Sequence, residues 1–377
     1  MKKIAIVTTH WANNFGALLQ AYALVEACRK LGADAEILDW RCRAFERYYH
    51  TAWLPGKHFL ISLMRWVWFW TVELSVRRKF DAFRKLIATS SICKDRADLE
   101  SRDVRYDSFI VGSDQVWNPA NTATVGGLST FDRACLLDFV KTKPKNAYAA
   151  SIGVSRIAPS SLEPEFVEAW KSFDCISMRE QEGAEYVERL TGRHVESVLD
   201  PTLLFDATFW TRFVAPKSSG RTVFRYDIKR VPVLRDFSEE VADKLGAKII
   251  SPLIPAHTML DPLWAPKFGP IEFVSAIANS ECVVASSFHA AAFSLIFGKR
   301  LYLVRRQVSS SPNTRFDELM RISGVKEEIV RQIGDQVISL IDFSKADPSA
   351  VAVARAHSWS FLKRIINDER AVKPQMK

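Results

Sequence analysis

The N-terminal segment constrains the fold more than any other part of the chain, because its hydrophobic period changes twice within a short length. Residues 3–9 form an apolar run of strand length. The segment after it places Ala17, Ala21 and Leu24 at three- and four-residue steps, which is the spacing of a helix face. A second strand-length run follows at 35–40. Strand, helix and strand in this order make a βαβ unit, which predicts a parallel sheet.

The same alternation continues along the chain and then restarts, which predicts two α/β domains facing each other across a cleft. Further strand-length runs lie at 106–114, 145–153, 175–180 and 194–201, and then at 221–228, 247–253, 282–287 and 300–304. A chain of 377 residues has enough apolar residues for two cores. We expect the first domain over 1–205, the second over 206–345 and a terminal helix within 346–377. Asp347 is the predicted N-cap of that helix, with Pro348 in its first turn.

The charge and the cysteine content of the chain limit which binding partners and which cellular compartment we expect. The chain carries a net charge of +9, and the segment 41–105 holds twice as many basic as acidic residues. Such a segment attracts anionic lipid, a phosphorylated ligand or nucleic acid. No RNA-binding signature or zinc finger accompanies it, so we expect no nucleic-acid partner. Scattered cysteines without a CxxC pair, and an N-terminus without a signal-peptide core, predict reduced thiols, a cytoplasmic location and no structural metal.

One segment, 58–80, is rich in tryptophan and apolar on nearly all sides. Two charged residues interrupt it, so we do not expect it to span a membrane. Its C-terminal end carries the basic residues Arg77, Arg78 and Lys79. Two interpretations stay open: a buried helix, or a helix at the membrane interface whose basic flank touches the inner leaflet.

Polar and ionisable residues follow most of the predicted strands. This matters because ligands of open parallel sheets bind past the carboxyl ends of the strands. The residues at these places are His10, Asn14, Asp114, Gln115, Arg179, Asp200, Ser286, Ser287 and His289. Two of them also have ordinary structural interpretations: Asp200 precedes Pro201 as turn residues do, and His10 could be a satisfied histidine at a strand end.

The residue types at the strand ends indicate a reaction class. Arginine suits the binding of a carboxylate or phosphate, and histidine works as an acid or base near neutral pH. No GxxxxGK[ST], HExxH or GxSxG motif occurs. The pattern therefore predicts a transferase that acts on an anionic donor with acid–base help and without a metal or other cofactor.

Six stretches, taken in order, carry a resemblance to a known family. They are NNFGALLQAYAL, FIVGSDQVWNP, AYAASIG, ISMREQEGAEYVERLTG, VLDPTLL and ASSFHAAAFSLIFGK. With them the chain resembles the polysaccharide pyruvyltransferases over roughly residues 1–325. The resemblance implies an α/β, GT-B-like fold: two Rossmann-type domains with parallel sheets facing a central cleft, and a C-terminal helix that crosses back to the first domain.

The resemblance also implies a reaction and its partners. In that reaction phosphoenolpyruvate gives its pyruvyl group to two hydroxyls of a sugar, which forms a cyclic ketal and releases phosphate. The acceptors are sugars of exopolysaccharide, capsule or cell-wall polymers, often still linked to lipid. The first domain would be the acceptor side and the second the donor side.

The family pattern suggests roles for individual residues. Arg179 would bind the carboxylate or phosphate of the donor, and His289 would contact the phosphate and act as acid or base. Asp114 is the candidate for orienting or deprotonating the sugar hydroxyl. The other candidates are Ser286, Ser287 and Arg315 for the donor, and Asn14, Gln115 and His10 for the acceptor.

The chain departs from the family pattern just before the histidine. Many members have an arginine there, whereas this chain has Ser286, Ser287 and Phe288, and Ala290 stands where glycine is frequent. A cation from elsewhere in the chain could replace that arginine. The candidates are Arg315, Arg305 and Arg306.

Two other functions stay open at this point. One is a nucleotide-sugar glycosyltransferase with the same two-domain architecture, for which Glu272 and Asp261 are the candidates to bind ribose. The other is a non-catalytic sugar-binding or assembly protein. Phosphate release from phosphoenolpyruvate in the presence of sugars separates the transferase from both.

Overall fold

The structure is a computed structural model of the chain. The structure describes residues 1–41, 69–118, 124–125, 128–129, 133–153, 163–217, 219–228, 231–252, 266–306 and 314–368. Two sheets account for most of its strands.

The first unit is built on a sheet whose strands all run parallel. The strands of this unit are β1 (Lys3–Val7), β2 (Asp34–Ile37), β3 (Ser108–Val111), β4 (Thr124–Val125), β5 (Leu128–Ser129), β6 (Lys145–Ala150), β7 (Cys175–Met178) and β8 (Glu196–Ser197), of which β4 and β5 form a separate antiparallel pair. The sheet order is β2-β1-β3-β6-β7-β8, and β4 pairs only with β5. The helices are α1 (Phe15–Lys30), α2 (Leu74–Arg84), α3 (Arg96–Glu100), α4 (Glu163–Lys171), α5 (Gln181–Thr191) and α6 (Ala207–Trp210).

The second unit has a mixed sheet of order β10-β9-β11-β12-β14-β13. Its strands are β9 (Thr222–Tyr226), β10 (Lys248–Ile250), β11 (Cys282–Ala285), β12 (Arg300–Arg306), β13 (Glu327–Ile333) and β14 (Gln336–Asp342). The helices are α7 (Pro232–Leu245), α8 (Pro270–Asn279), α9 (Phe288–Ile296), α10 (Thr314–Ser323) and α11 (Pro348–Asn367). The predicted α/β, GT-B-like class with two Rossmann-type units is confirmed, and the domain limits at 205 and 345 stay a prediction.

The second sheet differs from the expectation of a purely parallel sheet. Strands β13 and β14 run antiparallel to each other, and β14 runs antiparallel to β12. A short turn led by Gly334, at φ +58°, joins them. Only antiparallel strands can be joined by so short a turn, so the local connection dictates the strand direction here.

Aromatic packing joins the two units through α1. Phe15, in the first turn of α1, stacks on Phe80 of α2 at 5.1 Å and on Phe273 of α8 at 4.9 Å between ring centroids. The edge of Tyr226 from β9 completes the contact. Because one ring is shared by both units, the N-terminus of α1 is held against the second unit.

Two helix ends show ordinary capping, and that of α11 is the one predicted from the sequence. Helix α5 ends at Thr191, and Gly192 follows in the left-handed region at φ +67°. Asp347 caps α11 by accepting a 2.8 Å hydrogen bond from the Ser349 N–H. Helix α11 then contacts the first unit, where the Ser358 hydroxyl accepts a hydrogen bond from the Leu199 N–H at 2.9 Å.

The predicted segment 58–80 lies partly outside the described residues, which resume at Phe69. From there the chain is helical, first over Phe69–Glu73 and then in α2. Val76 and Phe80 are buried, whereas Trp70 is 54% exposed. None of the helices within the described ranges combines the length and the apolar character that crossing a membrane requires.

The strand order identifies where a ligand would lie in each unit. In the first sheet the connections reverse direction between β1 and β3, and in the second between β9 and β11. Open α/β sheets bind ligands at such a switch point, outside the carboxyl ends of the strands. The segments that follow β3 and β11 carry Asp114 and His289, so both switch points bring predicted site residues to the junction of the units.

Candidate active site

Arg179 is the buried charge at the centre of the site. It directly follows β7, and 2% of its surface is exposed. Its Nη1 donates to Asp200 Oδ2 at 3.1 Å, its Nε donates to Glu180 Oε1 at 3.2 Å, and Asp114 Oδ1 is 3.8 Å from Nη1. Burial by itself lowers the pKa of Arg179, but the three carboxylates outweigh burial and raise it, so the guanidinium stays charged. Among the described residues its buried Nη2 has no hydrogen-bond partner.

Asp200 links Arg179 to the rest of the site. Its side chain is fully buried, and Oδ1 accepts hydrogen bonds from the N–H and the hydroxyl of Thr202. Burial tends to raise the pKa of Asp200, yet His289, Arg179 and the Thr202 hydrogen bonds together lower it. The interpretation of Asp200 as a turn residue therefore accounts for Oδ1, which binds Thr202. It does not account for Oδ2, which binds Arg179. No local pattern in the sequence indicates that His289 of the second unit would approach that oxygen.

His289 reaches the same point from the second unit. It is the second residue of α9, and its Nε2 lies 3.7 Å from Asp200 Oδ2, beyond hydrogen-bond distance. Burial lowers the pKa of His289, while the negative charges of Asp200 and Asp114 partly oppose this effect. A Cβ added at Gly16 in α1 would overlap the imidazole ring. The histidine therefore packs directly on the backbone of the first unit.

The N-terminus of α9 adds hydrogen-bond donors beside His289. Ser287 is its N-cap, but the Ser287 side chain makes no capping hydrogen bond, and Ser286 is partly buried next to it. The first backbone N–H groups of a helix have no partner within the helix and carry partial positive charge. This end of α9 is therefore suited to bind an anion.

Arg315 supplies a second cation close to the site. It lies in the first turn of α10, and Arg179, Glu180 and Asp114 act on it electrostatically. Burial and the charge of Arg179 lower the pKa of Arg315. Arg305, by contrast, pairs with Glu327 and Asp317, away from this cluster, and the Arg306 side chain lies outside the described residues.

The loop after β3 presents Asp114 to the cleft. Asp114 adopts φ +73°, and 23% of its side chain is exposed. Gln115 lies beside it, and its Oε1 accepts a 2.8 Å hydrogen bond from Asn118. Gly112 precedes them at φ +114°, where any side chain would overlap the backbone of β6. This loop is therefore fixed by its backbone, with one carboxylate directed at Arg179.

Two predicted acceptor residues have structural roles at the end of β1. The Asn14 side chain caps α1 by accepting a 3.2 Å hydrogen bond from the Ala17 N–H. Both ring nitrogens of His10 are engaged, one with the Thr8 carbonyl and one with Asp39 Oδ1, each at 3.0 Å. None of these described contacts joins His10 to Arg179 or His289, so its role in acceptor binding stays a prediction.

Glu272, which would bind ribose in a glycosyltransferase, also has partners away from the site. Glu272 accepts a 2.8 Å hydrogen bond from the Gly269 N–H at the start of α8. It also forms an ion pair with Lys79 of α2. Asp261 lies outside the described residues.

Known proteins show what the chain is similar to. Among solved structures, a UDP-GlcNAc 2-epimerase from Neisseria meningitidis aligns over 97% of this chain and 94% of its own, with 10% identity and a TM-score of 0.49. MnaA of S. aureus aligns over 98% and 89%, with 14% identity and a TM-score of 0.46. No curated protein matches the sequence significantly. The family model described as polysaccharide pyruvyl transferase matches residues 14–307. The chain therefore belongs to the polysaccharide pyruvyl transferase family.

Proposed function

We propose that the protein transfers the pyruvyl group of phosphoenolpyruvate to two hydroxyls of a sugar, forming a cyclic ketal and releasing phosphate. The observation that carries the proposal is the buried Arg179, whose Nη2 has no hydrogen-bond partner among the described residues, beside the imidazole of His289 and the N-terminus of α9. These groups come from both units, and the N-terminus of α9 follows β11 at the switch point of the second sheet. Family membership supplies the reaction class.

The donor requires two anion sites, since it carries a carboxylate and a phosphate. The Nη2 of Arg179 is a buried donor suited to a charge-assisted hydrogen bond. The α9 N-terminus, the hydroxyls of Ser286 and Ser287, and Arg315 suit the second anion. We assign the phosphate to the α9 side because more donors converge there.

A single histidine can carry the protons that this reaction moves. Carbon C3 of the enol gains a proton, C2 becomes electrophilic, and two sugar hydroxyls bond to C2 in turn as the C2–O bond to phosphate breaks. Two hydroxyl protons are released; one balances the proton gained at C3 and the other leaves on the phosphate. His289 is suited to carry a proton between these groups. Asp114 is suited to orient the first hydroxyl, because its carboxylate is open to the cleft.

Phosphate release from phosphoenolpyruvate with a panel of sugar acceptors, followed by mass spectrometry of the product, tests the proposal. His289→Gln should lower the rate by about 100-fold or more, which is the usual contribution of general acid–base catalysis. His194→Gln is the matched control, because that side chain is 68% exposed. If no acceptor supports phosphate release and phosphoenolpyruvate does not bind, the proposal is wrong. Sugar transfer from a nucleotide sugar would then favour the glycosyltransferase.

We further propose a cytoplasmic protein that touches the membrane surface to reach a lipid-linked acceptor. The buried free thiols of Cys28 and Cys282 fit a reducing compartment. On α2, Arg78 is exposed, whereas Arg77 pairs with Glu73. Together with the exposed Trp70, Arg78 could meet an anionic lipid surface.

Cosedimentation with phosphatidylglycerol vesicles tests the membrane contact. Arg78→Glu should weaken binding, because it reverses the charge that faces the lipid. Arg235→Glu on α7 is the control, since that side chain is 70% exposed and lies in the second unit. Equal binding of both variants and the unchanged protein would contradict a role for α2.

A further inference from the structure

The His289 imidazole is enclosed from two sides by residues of the first unit. On one side, Asp200 Oδ2 lies 3.7 Å from Nε2, and no described group forms a hydrogen bond with that nitrogen. On the other side, the bare Cα of Gly16 packs on the ring. We propose that Asp200 and Gly16 are positioning residues that fix the pose and tautomer of His289, with the proton on Nε2 facing Asp200.

The arrangement of hydrogen bonds around Asp200 leaves one oxygen for this role. Oδ1 is occupied by the two hydrogen bonds from Thr202. Oδ2 accepts hydrogen bonds from Arg179 at 3.1 Å and from Ser113 at 3.4 Å, and within the described residues the His289 imidazole is the other nearby group that can carry a positive charge. A shift of less than about 1 Å would bring Nε2 within hydrogen-bond distance. The ring nitrogen that faces the carboxylate carries the proton, and this determines the tautomer.

Gly16 holds the His289 ring in place by close packing. Glycine is unfavourable inside a helix, so a glycine in the first turn of α1 calls for a packing reason. The nearest atom to a Cβ at this position would be Nδ1 of His289. An alanine at Gly16 would therefore push the imidazole away from its place.

The charged groups that face His289 determine how its titration should respond. Asp200 and Asp114 favour the imidazolium, whereas Arg179 and Arg315 disfavour it, and burial lowers the pKa of the ring below its ordinary value. Neutralising Asp200 removes the larger of the two favourable charges. The titration midpoint of His289 should therefore fall further.

The test is NMR of nitrogen-15-labelled histidine in the free, full-length protein, with the His289 signals assigned from His289→Gln. We expect the Nε2–H tautomer in the unchanged protein. Asp200→Asn keeps an oxygen for Thr202 but loses the charge, so it should lower the titration midpoint and mix the tautomers. Asp206→Asn, which changes an exposed helix cap, is the control and should leave both unchanged.

A second variant keeps the test informative if Asp200→Asn folds poorly. Gly16→Ala leaves the ion pair of Arg179 and Asp200 intact and should shift the His289 ring signals. An Nδ1–H tautomer in the unchanged protein, or an unaltered His289 titration in both variants, would overturn the proposal. The catalytic significance of this positioning rests on the proposed function, whereas the NMR measurement needs no substrate. A failure of pyruvyl transfer is therefore distinguishable from a failure of the positioning role.

Discussion

Replacing Arg179 by methionine should destabilise the fold as well as impair the site. The guanidinium is 2% exposed and bonds to two carboxylates, Asp200 and Glu180, that are themselves buried. Methionine retains most of the volume but leaves these carboxylates without their cation. Removing one partner of a buried ion pair costs about 3–5 kcal/mol. We expect a loss of that size in the free energy of unfolding at neutral pH.

The pH dependence of this loss gives a second check. The folded-state pKa of Asp200 is below its ordinary value, so its charge stabilises the fold above the ordinary carboxyl range, and this contribution is lost as pH falls through the folded-state pKa. In the variant the pKa of Asp200 should rise, and protonation would remove the unpaired charge. The difference between the variant and the unchanged protein should therefore shrink as pH falls below about 5.

Urea unfolding followed by circular dichroism measures both effects. Arg133→Met is the matched control, because Arg133 is 62% exposed and pairs with Glu165 at the surface. A surface pair contributes about 0–1 kcal/mol. If Arg179→Met were as stable as Arg133→Met at neutral pH, the argument that Arg179 compensates buried carboxylates would be refuted.

Further predictions concern His289, the C-terminal helix and the loop after β3. Because burial lowers the pKa of His289 and the reaction needs its protonated form, the alkaline limb of kcat/KM for phosphoenolpyruvate turnover should lie below 6.5, and a limb above 7 would contradict this. Ser358→Ala should cost about 1–3 kcal/mol in urea unfolding, since the buried Leu199 N–H loses its acceptor, whereas the exposed Ser360→Ala should change little. Gly112→Ala should lower the thermal unfolding midpoint, because the position combines φ +114° with contact to backbone; an unchanged midpoint would contradict it.

Much of the fold could be predicted because its signals are local. The period of α1, the glycine after α5 and the cap of α11 each depend on a few neighbouring residues. The β13–β14 hairpin was missed because its edge strand is largely exposed and alternates weakly. The burial of α1 on nearly all sides was also not predictable, since it depends on rings of the second unit such as Phe273.

The site was predicted only in part, for a similar reason. Strand ends indicated Arg179, His289 and Asp114, because the carboxyl ends of parallel strands share one edge. His10 has the same sequence signature, but its ring bonds to Asp39, a pairing that no local pattern shows. Asp200 looked like a turn residue because only its second oxygen, which meets residues distant in sequence, faces the site.

The charges of the site explain how a buried, neutral histidine could become an acid. Two arginines, Arg179 and Arg315, face three carboxylates, those of Asp114, Glu180 and Asp200. Burial lowers the pKa of His289 below its ordinary value in spite of the nearby carboxylates, which favours the neutral imidazole at pH 7 in the absence of a ligand. A donor with a carboxylate and a phosphate adds negative charge beside the ring, which favours the imidazolium. Under the proposed function, His289 therefore takes up its proton when the donor binds, so that the acid needed at C3 exists only in the loaded site.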